Sequence, residues 1–276
     1  MPHPKSTQSF KDMEQSGWHA KAASYDDLFG PITRDAMEPL LDAADVKPGS
    51  AVLDVASGPG YAAAAAAARK AIPIGVDFAD NMLLTAKRHY PHIEFRHGDA
   101  ENLAFDDSSF DAVVCPFGIL HIPEPQRAMA EAFRVLKPGG RYAFTVWAAP
   151  EKNEFFKVVL PIIQAHADME VPLPEAPPIF LYSDHTTCRQ TLTDVGFYNV
   201  GVVELPLVFK AGSPQRVLDL LHHGTVRTSA LLGLQTQEVQ SRINAEILAV
   251  MEARQAQSGL DLAFPAVMAS AQKPLS

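Results

Sequence analysis

The stretch from Val52 to Tyr61, VLDVASGPGY, limits what this chain can fold into more than any other. A short apolar run, Ala51 to Val55, breaks into the turn Ser57-Gly58-Pro59-Gly60, and seven consecutive alanines follow at 62–68. An apolar strand, a glycine-rich turn and a strong helix former, in that order, predict a β–turn–α unit whose helix N–H groups face a ligand. Glycine tolerates positive φ, and its missing Cβ lets a bound molecule approach the backbone. Asp54 puts a carboxylate beside the turn, where it would repel a pyrophosphate but hold an amino group, directly or through water. The expected ligand is therefore nucleotide-like and carries a cation. The turn alone leaves alternatives open. Gly58-x-Gly60-x-x-Ala63 also fits the loose dinucleotide fingerprint, and glycine-rich turns occur in α/β folds that bind nothing there.

The rest of the chain repeats the unit. Ile72 to Val76 reads as a second strand ending at Asp77, with Pro73 confined to its first residues because it removes a ladder donor. Asp77 lies 17 residues after Gly60, close to the spacing at which an acidic side chain reaches a ribose in a βαβ nucleotide site. A helix from Asp80 to Tyr90 follows, with Asp80 as its cap. Ile93 to Arg96 is a third strand, closed by His97-Gly98-Asp99-Ala100. Asp111 to Cys115 is a fourth, followed by a loop, Pro116 to Pro125, that holds His121. Gln126 to Leu136 is amphipathic, Lys137-Pro138-Gly139-Gly140 stops it, and Arg141 to Trp147 is a fifth strand. Strands alternating with helices call for a parallel sheet covered on both sides. Ligands bind at the C-terminal ends of such strands. Ser57 to Gly60, Asp77, Asp99 and Cys115 to His121 all lie at such ends, and this convergence argues for a functional site.

Upstream, residues 1 to about 16 read as a loose tail. The text turns helical from Gly17, with Trp18, Ala22, Tyr25, Leu28 and Phe29 on one side. A second helix spans about Thr33 to Ala44, with Pro39 at a kink. Downstream of Trp147 the rhythm breaks. Residues 149–182 are proline-rich with one apolar helix, Phe155 to Ala167. Ser183 to Val195 is a helix, Val200 to Phe209 a sixth strand, 213–257 a pair of helices, and Leu260 to Ser270 a seventh strand. Residues 17–276 thus read as a single domain. Its lid helices lie at 17–46, and two inserts, 149–182 and 213–257, roof the ligand site.

Composition excludes several classes. A net charge of −9 and no dense Lys/Arg run argue against sequence-independent nucleic-acid binding. Cys115 and Cys188 are far apart and lack metal-ligand spacing, so neither a disulfide framework nor a metal site is expected. The polar N-terminus lacks a signal peptide's apolar core. The alanine run is too short to span a membrane. A cytoplasmic, enzyme-sized protein is expected.

Five segments, WHAKAASYDDLF, VLDVASGPG, IGVDFADNMLLTAK, FRHGDAENLAFDDSSFDAVVCPFGILHIPEP and AFRVLKPGGRYAFTVW, occur in order between Trp18 and Trp147. With them the chain resembles the class I S-adenosylmethionine-dependent methyltransferases, in particular the group related to quinone biosynthesis. The resemblance implies a doubly wound, seven-stranded, mostly parallel α/β sheet of Rossmann-like type, its last strand antiparallel, with helical cap inserts. It implies S-adenosylmethionine as cofactor and S-adenosylhomocysteine as product. Ala56, Gly58 and Gly60 would present backbone to the methionine part, with Asp54 near its ammonium. Asp77 would bind both ribose hydroxyls, and Phe78 and Met82 would pack on the adenine. Asp99 would accept from the adenine amino group, with Ala100 beside it. Cys115 and Pro116 would line the methionine side, and Tyr25 and Trp18 would close a lid over the sulfonium. Ala56, Ser57 and Pro59 stand where relatives often carry Gly, Cys and Thr. All three positions offer backbone.

Methyl transfer from a sulfonium mainly requires alignment of the acceptor and exclusion of water. An acceptor hydroxyl or carbon acid also needs a base, and His121 is the best-placed candidate. Its alternative is a structural loop histidine. His166, His222 and His223 read as solvated or helix-face residues, and Glu101, Asp106 and Asp107 as a solvated loop. The expected activity is methyl transfer to oxygen, nitrogen or carbon of a small, partly apolar acceptor, with a homodimer left open. A nicotinamide-dependent oxidoreductase, a non-catalytic cofactor-binding protein and a non-methylating use of the same cofactor are the alternatives. Asp54 beside the turn weighs against the first.

Overall fold

The computed structural model describes residues 9–275 of the chain. Helix α1 (Phe10–Leu28) is capped by Ser9, whose hydroxyl oxygen accepts the Asp12 N–H at 3.1 Å. This corrects the expected tail: residues 1–8 lie outside the described residues, and 10–16 are helical. Phe10 and Met13 extend the apolar stripe of Trp18 and Ala22 toward the N-terminus. All four are buried in one cluster with Ala79, Met82 and Val226. The second expected helix comes in pieces: α2 (Gly30–Thr33), a 3-10 turn at Arg34–Ala36 and α3 (Met37–Ala43). Pro39 falls in the first turn of α3, where a missing N–H costs little.

The repeating part follows expectation closely. β1 (Ala51–Val55) leads to α4 (Tyr61–Ala68), and β2 (Ile72–Asp77) to α5 (Asp80–His89). Then come β3 (Glu94–His97), β4 (Phe110–Pro116), α6 (Pro125–Val135) and β5 (Leu136–Trp147). Pro73 is opposite Val52, ahead of the β2–β3 ladder that begins at Ile74. Asp80 is the first helical residue of α5 and not its cap, which is Ala79. Lys137 to Gly140 is extended chain that bulges out as β5 begins. The register jumps there from Phe110 opposite Leu136 to Ala112 opposite Arg141.

Beyond Trp147 the departures are larger. α7 (Glu154–His166), α8 (His185–Val195) and β6 (Tyr198–Leu205) precede β7 (Val208–Lys210). α9 (Pro214–Asp219), a wide turn at Leu220–Gly224, α10 (Arg227–Gly233) and α11 (Gln237–Ser258) come next. β8 (Asp261–Ala263) and β9 (Ala266–Gln272) close the chain. The single strand expected over 200–209 is thus two, and so is the one over 260–270. β7 and β8 leave the main sheet and pair with each other. Pro206 and Pro265 stand at the two breaks, each a residue without an N–H to give a ladder. The pair of helices expected over 213–257 is three, because the chain breaks after Gly224 and again after Gly233.

Strand order is β3-β2-β1-β4-β5-β9-β6, with β9 antiparallel to both its neighbours and the β1–β5 pairs parallel. Val52, Leu53, Val113, Val114, Ala143 and Phe144 are all buried, the near-continuous apolar centre that a sheet covered on both faces requires. The order reverses between β1 and β4, so the crevice for a ligand opens at their C-terminal ends. Among the described residues no helix is long and apolar enough to cross a membrane.

Candidate active site

The β1–α4 turn is held from below. Gly60 caps α4 in the left-handed region (φ 87°) and has no side chain to offer the helix. A Cβ there would also fall 2.6 Å from the Phe95 ring, so both conformation and space require glycine. Asp54 caps the helix instead, its Oδ2 accepting the Ala63 N–H at 2.9 Å. The Ser57 N–H goes to the Val76 carbonyl, and the Gly60 N–H to the Ser57 carbonyl. The Gly58 N–H goes to Asp77 Oδ2 at 2.8 Å. Four of the N–H groups expected to face a ligand, those of Ser57, Gly58, Gly60 and Ala63, are thus taken up within the protein. What the turn leaves without a protein partner is Asp54 Oδ1 and the Ser57 hydroxyl, both buried.

Asp77 is the second anchor. Its Oδ1 accepts the Ala79 N–H at 2.8 Å, and its side chain borders a cavity of about 140 Å³ above the strand ends. Burial pushes the Asp54 carboxyl up to about 8 and that of Asp77 up to about 6, and the neighbouring Asp77 charge raises Asp54 further. Both are far above an ordinary aspartate. A cationic or hydroxyl-bearing ligand would relieve them.

Most of the residues singled out in the sequence meet on that cavity. Ala56, Gly58, Asp77, Phe78 and Met82 line one end, with Asp99, Ala100, Pro116, His121, Trp18 and Tyr25 around it. A smaller cavity continues past Tyr25 between Ala56, Ser57, Pro59 and Tyr61. Asp54 and Gly60 border neither cavity and act from beneath. Cys115 is a correction. It is 1% exposed, packs behind Gly118, and burial pushes its thiol up to about 12. It lines neither of these cavities.

Three residues of the site were not anticipated from the sequence. Lys11, on the supposed tail, pairs with Asp99 and, at 2.6 Å, with Glu101 Oε2. Glu101 is correspondingly buried (7% exposed) and its Oε1 accepts the Glu124 N–H at 2.8 Å, so it belongs to no solvated loop. Glu14 is 1% exposed, and its Oε2 lies 2.9 Å from both Trp18 Nε1 and His121 Nδ1. The Ser9-x-x-Asp12 cap followed by Phe10 and Met13 was the available signal for a helix there. Nothing in the sequence indicated what its charged side chains would meet.

The roof comes from both inserts. Phe156, Ala176, Pro177 and Ile179 border the cavity from the first, and Gly224 to Thr228 from the second. α11 does not border it. Gly17 of α1 faces Val226 so closely that a Cβ would fall 2.3 Å from a Val226 methyl. The walls are mainly apolar, with Phe29 and Trp147 stacked at 5.5 Å and Phe117 against Trp147 at 4.1 Å. Arg227 gives Nη1 to the Pro174 carbonyl at 2.7 Å, has no ion pair among the described residues, and is pulled below the usual guanidinium range by burial. No metal-ligand cluster occurs among the described residues.

Residues 53–144 match the model of a methyltransferase domain. A demethylmenaquinone methyltransferase of Renibacterium salmoninarum is 35% identical over 191 residues, covering 63% of this chain and 80% of that one. The phosphoethanolamine N-methyltransferase 2 of Haemonchus contortus, solved with S-adenosyl-L-methionine, superposes with a TM-score of 0.59 at 20% identity, over 98% of this chain and 61% of that one. The cyclase SpnF superposes with a TM-score of 0.60 at 17% identity over 99% of both chains, so the fold by itself does not settle the reaction. The sequence relationship does: with its strand order and its glycine turn, the chain belongs to the class I S-adenosylmethionine-dependent methyltransferases.

Proposed function

We propose that this chain moves a methyl group from S-adenosylmethionine to a small, partly apolar, ring-sized acceptor bearing an ionisable hydroxyl, in the manner of a quinol. S-adenosylmethionine supplies an activated methyl group on a sulfonium. The residues present suit it: Asp54, at the foot of the glycine turn, has a buried Oδ1 without a partner among the described residues, the complement of an ammonium. Asp77 accepts the Gly58 N–H on Oδ2 and the Ala79 N–H on Oδ1, and a carboxylate has further lone pairs for ribose hydroxyls. Phe78 and Met82 offer apolar surface for an adenine, and Asp99 and the Ala100 N–H its polar edge. Ala56, Gly58 and Pro116 would hold the methionine part, and Trp18 and Tyr25 would cover the sulfonium.

The acceptor is assigned to the roofed end. Phe156, Ala176, Pro177 and Ile179 of the first insert and Val226 of the second give that side apolar surface, with Arg227 beside it, and exclusion of water and alignment are what an in-line transfer asks of the protein. His121 borders the same space and takes the acceptor proton as general base. The demethylmenaquinone methyltransferase relationship supports a quinol-type ring.

The observation that carries this proposal is the convergence of Asp77, Asp99, Tyr25 and His121 on one cavity. Calorimetric titration with S-adenosylmethionine, S-adenosylhomocysteine and NAD tests it. Both adenosyl ligands are expected to bind and NAD not. In Asp77→Ala the affinity should fall by at least about tenfold, since a hydrogen bond to a charged group is worth about 1.5–3 kcal/mol. NAD binding without adenosyl binding would sink the assignment.

A further inference from the structure

His121 is not alone. Its Nδ1 lies 2.9 Å from Glu14 Oε2, and that same oxygen receives the Trp18 Nε1–H at 2.9 Å. The Trp18 ring stands edge-on to the imidazole, with centroids 4.8 Å apart at 76°. Glu14 is 1% exposed, while His121 keeps 23% of its side chain accessible, borders the cavity, and has no protein partner at Nε2 among the described residues. A carboxylate so deep is costly unless it is hydrogen-bonded and faces a positive charge. Pinning the Trp18 indole requires only a neutral acceptor, which a glutamine would provide. A carboxylate at Glu14 calls for positive charge nearby: the Arg227 guanidinium acts on it from a distance, across the same cavity, and of the two groups hydrogen-bonded to Oε2 only the imidazole can become cationic.

We propose that Glu14, carried on the N-terminal helix, is the positioning residue of the base. It accepts Nδ1–H, fixes that tautomer and so leaves the Nε2 lone pair on the cavity side. This inference rests on His121 acting as base. When the acceptor hydroxyl gives up its proton, an Nε2–H bond forms, the O–H bonding pair stays on the acceptor oxygen, and the imidazolium charge is balanced across Nδ1–H by the Glu14 carboxylate. Glu14 never touches the acceptor. Its seat on α1 has a consequence: the base is complete only when that helix is docked. Lys11, one turn earlier, ties the same helix to Asp99 and Glu101, which border the same cavity. Docking of α1 therefore sets both the base and this wall of the cavity.

The tautomer can be read directly from the two imidazole nitrogens of His121 in a ¹⁵N-labelled protein by long-range ¹H–¹⁵N correlation, at a pH where the ring is neutral. The wild-type chain is expected to show protonated Nδ1 and bare Nε2. Glu14→Gln retains an acceptor oxygen and should keep that pattern. Glu14→Met removes the acceptor and should shift the ring to Nε2–H, the form a free imidazole prefers. A protonated Nε2 in the wild-type chain overturns the proposal whatever the variants do. So does an unchanged Nδ1–H in a Glu14→Met protein whose circular dichroism matches wild type. Neither result depends on adenosyl binding, so failure here and failure of the functional assignment are separable.

Discussion

At the residue scale the site turns on single atoms whose neighbours decide their role. Asp54 illustrates this: one carboxylate oxygen caps α4 and the other has no protein partner, so a structural and a ligand-binding role share one side chain. Ala56 shows the opposite case, a residue that fits its backbone poorly. Its φ is 53°, in the left-handed region, where a Cβ costs about 1–2 kcal/mol relative to glycine. Part of that is offset because glycine has more freedom to lose on folding. Ala56→Gly is therefore expected to leave stability unchanged or raise it by up to about 1 kcal/mol, measured by urea denaturation. A clear loss would mean that the contacts of the Ala56 methyl outweigh its strain.

At the scale of elements, α1 does the most for the site with the least core beneath it. Phe10, Met13, Trp18 and Ala22 form a cluster separate from the main core, shared with Ala79, Met82 and Val226, and only the last turn, at Leu28, reaches the main core. Polar ties do the rest: Lys11 to Asp99 and Glu101, Lys21 to the His222 carbonyl at 2.8 Å, and Arg216 to Asp27. An element held mainly by such contacts opens before the sheet does. Lys11→Met should thus speed amide hydrogen exchange in the first two turns of α1 at least several-fold, since it removes a half-exposed pair with Asp99, worth up to about 1 kcal/mol, and leaves the buried Glu101 carboxylate without its cation. Exchange in β1 and β4 should not change. Equal acceleration in the central strands would mean that α1 does not open separately from the sheet.

For the molecule as a whole, the buried pair Asp54 and Asp77 links stability to pH. Their folded values, about 8 and about 6, stand above the ordinary 3.8. Between 3.8 and those values the folded chain holds protons that the unfolded chain has released. Their contribution to stability is therefore greatest below 3.8 and falls as pH rises, first through the Asp77 value and then toward that of Asp54. A ligand that brings an ammonium and hydroxyls to these carboxylates favours their charged forms. Binding of S-adenosylhomocysteine near neutral pH should then release protons, seen as a binding enthalpy that varies with the ionisation enthalpy of the buffer. Asp54→Asn should diminish that release. A buffer-independent enthalpy in the wild-type chain would contradict the assignment of these carboxylates to the ligand.

The alternation of strand and helix, the parallel sheet and the strand-end positions of Asp77, Asp99 and His121 were legible in the sequence. They follow from periodicity, glycine placement and the rule that strand ends carry ligands, all of them local properties. The family, too, was legible, in five segments at the right spacing. Tertiary structure decided the rest. It turned residues 10–16 of the supposed tail into helix and took up the N–H groups of Ser57, Gly58 and Gly60 inside the protein. It withdrew Cys115 from the cavity and split the strands at Pro206 and Pro265 to form a second small sheet. Above all, it brought Lys11 and Glu14 across 88 and 107 positions of chain to Asp99 and His121. Sequence patterns report which face of an element is apolar. Which charge a buried carboxylate meets is set by how elements dock, and no local pattern encodes that.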